Sequence, residues 1–242
     1  DIYLSTFILY TFFIYCTMFN IVRQMFATSI SLIILHLFLS RKIKKFFYII
    51  IIIIVSLLFH KSNMIFVIIP FLKKLSEINV NKLLIYLLCV LSFILFINTS
   101  FLTPYILNYS FLLGERYANY VEWGQEAQIS FSTLETLLYL SIVIITTFFH
   151  KGNRFSILFW FFVIITLCRG AFINILFIFS RIFVYASIIF SIVVADVYKS
   201  YSNNKTKQIL YLILITITSS IIFFDSLSKN YSGVIPYINT IF

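Results

Sequence analysis

Three uninterrupted apolar runs, at residues 46–59, 83–97 and 208–224, limit this chain more than any other feature. A soluble domain of 242 residues buries one sizeable core, and that core has no room to hide all three runs as well. Composition agrees. Hydrophobic residues make up 62% of the chain and charged residues 11%, with a mean hydropathy of +1.05, against roughly 45–50% apolar content in soluble domains. The expected fold is therefore all-α. It is a polytopic integral membrane helical bundle forming a single domain over residues 1–242, with short or re-entrant helices and one larger outer loop over 101–133.

A crossing needs about 20 residues at about 1.5 Å each, which places spans near 3–19, 22–40, 83–100, 134–149, 182–197 and 208–224. The stretch 46–72 carries basic residues on both flanks, Lys44 and Lys45 before it and Lys73, Lys74 and Lys82 after it. Basic residues stay on the cytoplasmic side, so a hairpin of two short helices with His60 to Asn63 at its apex is favoured over one overlong span. Residues 155–181 read as an ascending span to Cys168, a break at Arg169-Gly170, and a short apolar segment at the outer face ending at Arg181. The chain opens on Asp1 with a span starting almost at once, which raises the expectation of further spans before it.

On this map the 18 basic residues divide unevenly. Arg41, Lys42, Lys44, Lys45, Lys73, Lys74, Lys82, Lys151, Arg154, Lys199, Lys205 and Lys207 fall inside; Arg23, Lys61, Arg116, Arg169, Arg181 and Lys229 fall outside. Ten of the twelve lysines obey the positive-inside rule, and four of the six arginines break it. A guanidinium is a rigid, permanently charged fork that holds phosphate in a bidentate grip, so arginines gathered outside suggest recognition of a phosphate or carboxylate. Snorkelling to lipid headgroups is the plainer explanation for any one of them.

The segment 101–133 holds most of the remaining polar chemistry: Glu115, Arg116, Tyr117, Tyr120, Glu122, Trp123 and Glu126, with Glu135 close to the next span. Carboxylates beside aromatic rings suit a carbohydrate, and Glu115 and Glu122 are candidate catalytic carboxylates, although aromatic residues also collect at any membrane interface. His60 is a candidate acid or base, since its charge can change near neutrality. His36 and His150 have no comparable surroundings. Cys16, Cys89 and Cys168 all lie in apolar runs and are odd in number, which argues against a disulfide framework or a zinc site. No metal or cofactor motif appears, and neither a metal nor a cofactor is expected.

Asn20-Ile21-Val22-Arg23-Gln24 with Ala27, then the basic turn 41–45, then Phe59-His60-Lys61-Ser62 and an apolar run into Pro70, resembles the signature of EpsG-type polysaccharide polymerases, relatives of the Wzy-type O-antigen polymerases. Glu115-Arg116-Tyr117, Arg181 with Tyr185, and Pro236-Tyr237 are similar to weaker positions of that family. The glycine often found before Arg-Gln is absent here. The resemblance implies a metal-independent glycosyltransferase of the bacterial cytoplasmic membrane, with its site facing the exterior. It would join undecaprenyl-pyrophosphate-linked repeat units into O-antigen, capsule or exopolysaccharide. His60, Glu115 and Glu122 would be catalytic, while Arg23, Gln24, Arg116, Arg169, Arg181 and Tyr185 would hold pyrophosphate and glycan. Beyond the glycolipid and the bilayer, the resemblance leaves room for a chain-length regulator; no nucleic acid is expected. A lipid-linked oligosaccharide flippase would show charges deep in several spans and paired halves, which are not evident. A glycan ligase shares the chemistry, and a structural subunit would leave the outer arginines unexplained.

The lysine partition makes a direct prediction. In intact cells, a cysteine replacing Tyr120 should react with an impermeant thiol reagent, and one replacing Asn203 should react only after lysis. Labelling at Asn203 in intact cells would overturn the partition.

Overall fold

The structure is a computed structural model that describes residues 22–99, 133–174 and 178–228, together with residue 4. The expected outer loop and its candidate residues Glu115, Arg116 and Glu122 lie outside the described residues, as does nearly all of the first expected span. Eight α-helices and one 3₁₀-helix account for the described elements, and no strand occurs among them. In chain order they are α1 (Val22–Leu39), α2 (Lys45–Leu58), the 3₁₀-helix (Lys61–Ile68), α3 (Ile69–Glu77), α4 (Lys82–Ile97), α5 (Thr133–Phe149), α6 (Ile157–Phe172), α7 (Ile178–Ser200) and α8 (Lys205–Ser228).

The polarity of the helices is inverted relative to a soluble bundle. On α4 the outward face is Leu83, Leu84, Leu87, Val90, Leu91, Ile94 and Ile97, while Ser92 is among the residues buried. On α8 the outward face is Ile209, Leu210, Ile213, Ile217, Ile221 and Phe224, and Gln208, Thr218 and Ser219 face inward. Large apolar residues are exposed along both helices, where a soluble helix would carry charge. By length and composition two helices suffice to cross a membrane, at Ile182–Ser200 and Lys205–Asp225; five shorter helices are also apolar. Central in the bundle is α6, buried on nearly every side and packed against α3, α4, α5 and α7. Its aromatic residues build the core, with Phe161 stacked on Phe66 at 5.6 Å and Phe162 on Phe190 at 4.8 Å.

The hairpin expected over 46–72 is present. The chain leaves α2 at Leu58, turns through an extended His60, and comes back along α2. Three contacts mark the return: Asn63 Nδ2 reaches Ser56 Oγ at 3.5 Å, the Tyr48 hydroxyl donates to the Phe66 carbonyl at 3.0 Å, and the Lys45 ammonium sits 3.9 Å over the Phe71 ring. The returning limb begins as a 3₁₀-helix, which at about 2.0 Å per residue gains roughly 16 Å over its eight residues where an α-helix would gain about 12 Å. The change to α-helix coincides with Pro70, whose missing N–H is harmless in a first turn and disruptive in an interior one.

One end of the bundle gathers the basic turns that the positive-inside rule placed together. Val80 N donates to the Asn153 carbonyl at 2.9 Å, and Arg154 Nε donates to Asn79 Oδ1 at 3.0 Å. Lys82 donates to the Phe148 and His150 carbonyls at the C-terminal end of α5, and Lys151 donates to the Ser200 carbonyl at the end of α7. Each lysine thereby satisfies helix-terminal carbonyls that lack an intrahelical partner, at the end where the helix dipole favours a cation.

Residues 155–181 depart from expectation. Arg169 and Gly170 do not break the span; α6 continues through both to Phe172. Nor does a separate segment end at Arg181, because that residue falls in the first turn of α7. Two causes account for this. Arg169 has a counterion and needs no helix end to reach water, and Gly170 serves close packing. A Cβ at Gly170 would lie 2.4 Å from Ser92 Oγ, which donates to the Leu167 carbonyl at 2.8 Å. Gly170→Ala should therefore lower stability by about 1–3 kcal/mol through overpacking. Adding Ser92→Ala should return part of the loss, as read by thermal unfolding of the detergent-solubilised protein.

Candidate functional site

Opposite the basic end, the two strings singled out in the sequence meet. The extended backbone at His60 lets Ser62, two residues on, turn its hydroxyl to His60 Nδ1 at 2.7 Å. The same hydroxyl lies 2.8 Å from the hydroxyl of Tyr185, which is 123 residues away on α7. The side chain of Gln24, in the first turn of α1, is a further hydrogen-bond partner of the Tyr185 hydroxyl. Gln24 and Tyr185 are both 0% exposed, whereas His60 and Ser62 are half-buried and open towards the surface. The order from interior to surface is thus Gln24, Tyr185, Ser62, His60.

Packing fixes this row from both sides. Asn63, the residue after Ser62, is buried and donates to Ser31 Oγ of α1 at 2.7 Å, tying the hairpin apex to that helix. Phe26 meets Phe59 edge to face at 5.0 Å, and Phe66 meets Tyr185 edge to face at 5.4 Å. Arg23 shares a helix face with Phe26, three residues on, and is exposed, as is Lys61 at the apex. Two cations therefore flank the half-buried histidine at the mouth.

A second polar cluster lies among α5, α6 and α7. Arg169 is 3% exposed and ion-paired with Glu135, also buried. Its guanidinium carbon lies 4.3 Å from the centre of the Tyr139 ring and 5.0 Å from that of Phe183. The guanidinium is thus held by a carboxylate and by two aromatic rings, with one nitrogen of Arg169 and one oxygen of Glu135 left without a hydrogen bond.

The site residues expected from sequence are thus distributed in three ways. Gln24, His60 and Tyr185 come together in one row, with Arg23 beside it. Arg169 lies apart from that row, in a buried ion pair with Glu135. Tyr185 is buried behind Ser62 and His60. Arg181 opens α7, and Glu115, Arg116 and Glu122 lie outside the described residues. Sequence reasoning missed Ser62 as a site residue and Glu135 as a counterion. The available signals were the two-residue spacing from His60 and a carboxylate two residues inside an apolar helix.

At the basic end a small cavity of about 130 Å³ is lined by His150, Phe159, Asp196 and neighbouring residues. Burial against Phe155 and Phe159, at ring distances of 4.5 and 5.5 Å, holds the His150 imidazole below its usual pKa and so neutral, which suits a packing role. Among the described residues no group of three or more His, Cys, Asp or Glu could hold a metal ion.

The ion pair carries its own test. Glu135→Ala leaves a buried guanidinium uncompensated and should cost about 3–5 kcal/mol, lowering the yield of monodisperse protein. Replacing both residues with methionine should restore most of that yield. A restored double variant that still lacks activity would show that Arg169 does more than hold the ion pair.

A model of the EpsG family matches residues 1–239. No curated protein and no solved structure matches the chain. That range spans the Arg-Gln string of α1, the hairpin apex and Tyr185 of α7. With nearly its whole length matched, the chain belongs to the EpsG family.

Proposed function

We propose that this protein is a multi-pass glycosyltransferase of the bacterial cytoplasmic membrane that polymerises undecaprenyl-pyrophosphate-linked repeat units on the outer side. Membership of the EpsG family supports a role in polysaccharide biosynthesis. The observation that carries the reading is the convergence of Gln24, Tyr185, Ser62 and His60 at the end of the bundle opposite the lysine-rich turns, with exposed Arg23 and Lys61 beside them. The apolar exterior supports a bundle surrounded by lipid, and the gathered basic turns support their placement in the cytoplasm.

The reaction suits this inventory. An acceptor hydroxyl attacks the anomeric carbon of the donor glycan, forming the new glycosidic bond. The bond from that carbon to the pyrophosphate oxygen breaks and leaves its electron pair on the pyrophosphate. The hydroxyl proton passes to a base, for which His60, Glu115 and Glu122 are the candidates. Direct displacement inverts the anomeric configuration. Charge accumulates on the leaving group, and a cation positioned there stabilises the transition state without a metal. Exposed Arg23 is the first candidate for that task, with Arg116 and Arg181 as further candidates.

Two measurements test the reading. Purified protein given lipid-linked repeat units should yield products longer by whole repeats, and cells lacking it should accumulate single repeat units at the surface. Loss of all surface units would indicate a flippase instead. Arg23→Ala should abolish polymer while the protein stays in the membrane, and Arg23→Lys should restore little, because a point charge does not reproduce a bidentate fork. Near-normal polymer from the lysine variant would show that charge alone suffices.

A further inference from the structure

The cations at the basic end fall into two groups. Lys82, Lys151 and Arg154 are engaged inside the protein, on helix-terminal carbonyls and on Asn79. Arg41, Lys42, Lys44, Lys45, Lys73 and Lys74 are exposed, and none of their side chains forms a hydrogen bond or an ion pair among the described residues. Glu77, close by on α3, is exposed and forms no ion pair among them either. The two limbs of the hairpin bring the charges together: the Lys45 ammonium sits 3.9 Å over the Phe71 ring, and Lys74 follows Phe71 by three residues on the same face of α3. Like charges gathered in this way repel one another unless an anion lies among them.

Apolar rings border the charges. Phe46 and Phe47, in the first turn of α2, and Phe71 on α3 are each more than half exposed. Phenyl rings beside ammonium groups at the end of a lipid-facing helix fit the boundary between acyl chains and headgroups.

The turn itself carries a second, independent sign. α1 ends in a Schellman turn, with Lys42 N donating to the Leu37 carbonyl at 2.9 Å and Arg41 N to the Phe38 carbonyl at 3.0 Å. Arg41 occupies its left-handed position at φ +57°, and no other residue except glycine has a positive φ among the described residues. Glycine adopts that conformation without steric cost, and arginine does not. The turn therefore gives up stability and keeps a charge where the backbone calls for no side chain.

We infer that the base of the hairpin, the turn 41–45 with Lys73 and Lys74, binds the phosphodiester headgroup of an anionic phospholipid in the leaflet on the basic side, with Phe46, Phe47 and Phe71 against its acyl chains. This site is separate from the row at the apex and does not depend on the glycosyltransferase reading; it needs only that lipid surround the bundle. Charge complementarity selects the lipid. Phosphatidylglycerol offers a phosphate with no charge of its own to offset it, whereas the ammonium of phosphatidylcholine neutralises its phosphate and is repelled by the lysines.

The test is native mass spectrometry of the detergent-solubilised full-length protein, titrated with dioleoyl phosphatidylglycerol or dioleoyl phosphatidylcholine. The first phosphatidylglycerol should bind at least about tenfold more tightly than the first phosphatidylcholine. Lys44→Gln, Lys73→Gln and Lys74→Gln together should weaken it about a hundredfold, at roughly fivefold per lysine. The matched set Lys199→Gln, Lys205→Gln and Lys207→Gln, around the turn between α7 and α8, should leave it within about threefold, since exposed charges outside a site are largely screened. Arg41→Gly should separate the two roles of the turn, raising the unfolding temperature in lipid-free detergent by about 2–4 °C while weakening phosphatidylglycerol about fivefold. Glycerol phosphate, which has the phosphate without the chains, should not displace the lipid at equal concentration. Equal affinities for the two lipids, or equal losses in the two lysine sets, overturn the inference. Displacement by glycerol phosphate also overturns it and makes the patch a free-phosphate site. Tighter binding of a glutamate-rich peptide than of phosphatidylglycerol overturns it in favour of a protein-docking surface.

Discussion

An exterior made of leucine, isoleucine and phenylalanine leaves this bundle's polar groups nowhere to go but inward, and the rest of its architecture follows from that constraint. Hydrocarbon offers no hydrogen bonds, so each polar group must be satisfied inside the protein or at its ends. The hairpin apex shows how closely this is managed. Asn63 bonds Ser31 and reaches Ser56, Ser56 bonds the Ile52 carbonyl, and Tyr48 bonds the Phe66 carbonyl. Together these bonds hold a 3₁₀ limb that has no strong helical preference of its own. The same requirement links Ser92 to the Leu167 carbonyl where α4 approaches α6.

Much of the arrangement was legible in the sequence because lysine positions and apolar run lengths report directly on it. The turn at 41–45, the segment 73–82 and the loops at 150–154 and 199–207 were assigned to one side by charge alone, and their contacts do join one end of the bundle. The hairpin at 46–72 was inferred from basic residues on both flanks, and its apex falls where the sequence put it. The meeting of the Arg-Gln and His-x-Ser strings was likewise expected, although their link through Tyr185 was not. Neither composition nor periodicity reports a contact spanning 123 residues.

The misreadings share one physical origin. A charge and a glycine inside an apolar run look like a break when only local preference is weighed, since glycine costs about 1 kcal/mol in a helix relative to alanine. At Arg169-Gly170 tertiary terms outweigh that cost. Glu135, 34 residues earlier, neutralises the arginine, and the missing side chain of Gly170 lets Ser92 come near. Arg169 is thus paired within the bundle, while Arg23 and Lys61 are exposed beside the histidine.

The hydrogen-bonded row behind His60 follows from the same constraint. Gln24 and Tyr185 lie wholly within the bundle, where an unbonded hydroxyl would be expensive, and Ser62 links Tyr185 to the half-buried histidine. The apex that carries His60 is in turn locked to α1 by Asn63 and to α2 by Tyr48. The histidine is therefore held on a rigid support even though it sits in a turn, and the polar residues that an apolar exterior turns inward are the ones that hold it there.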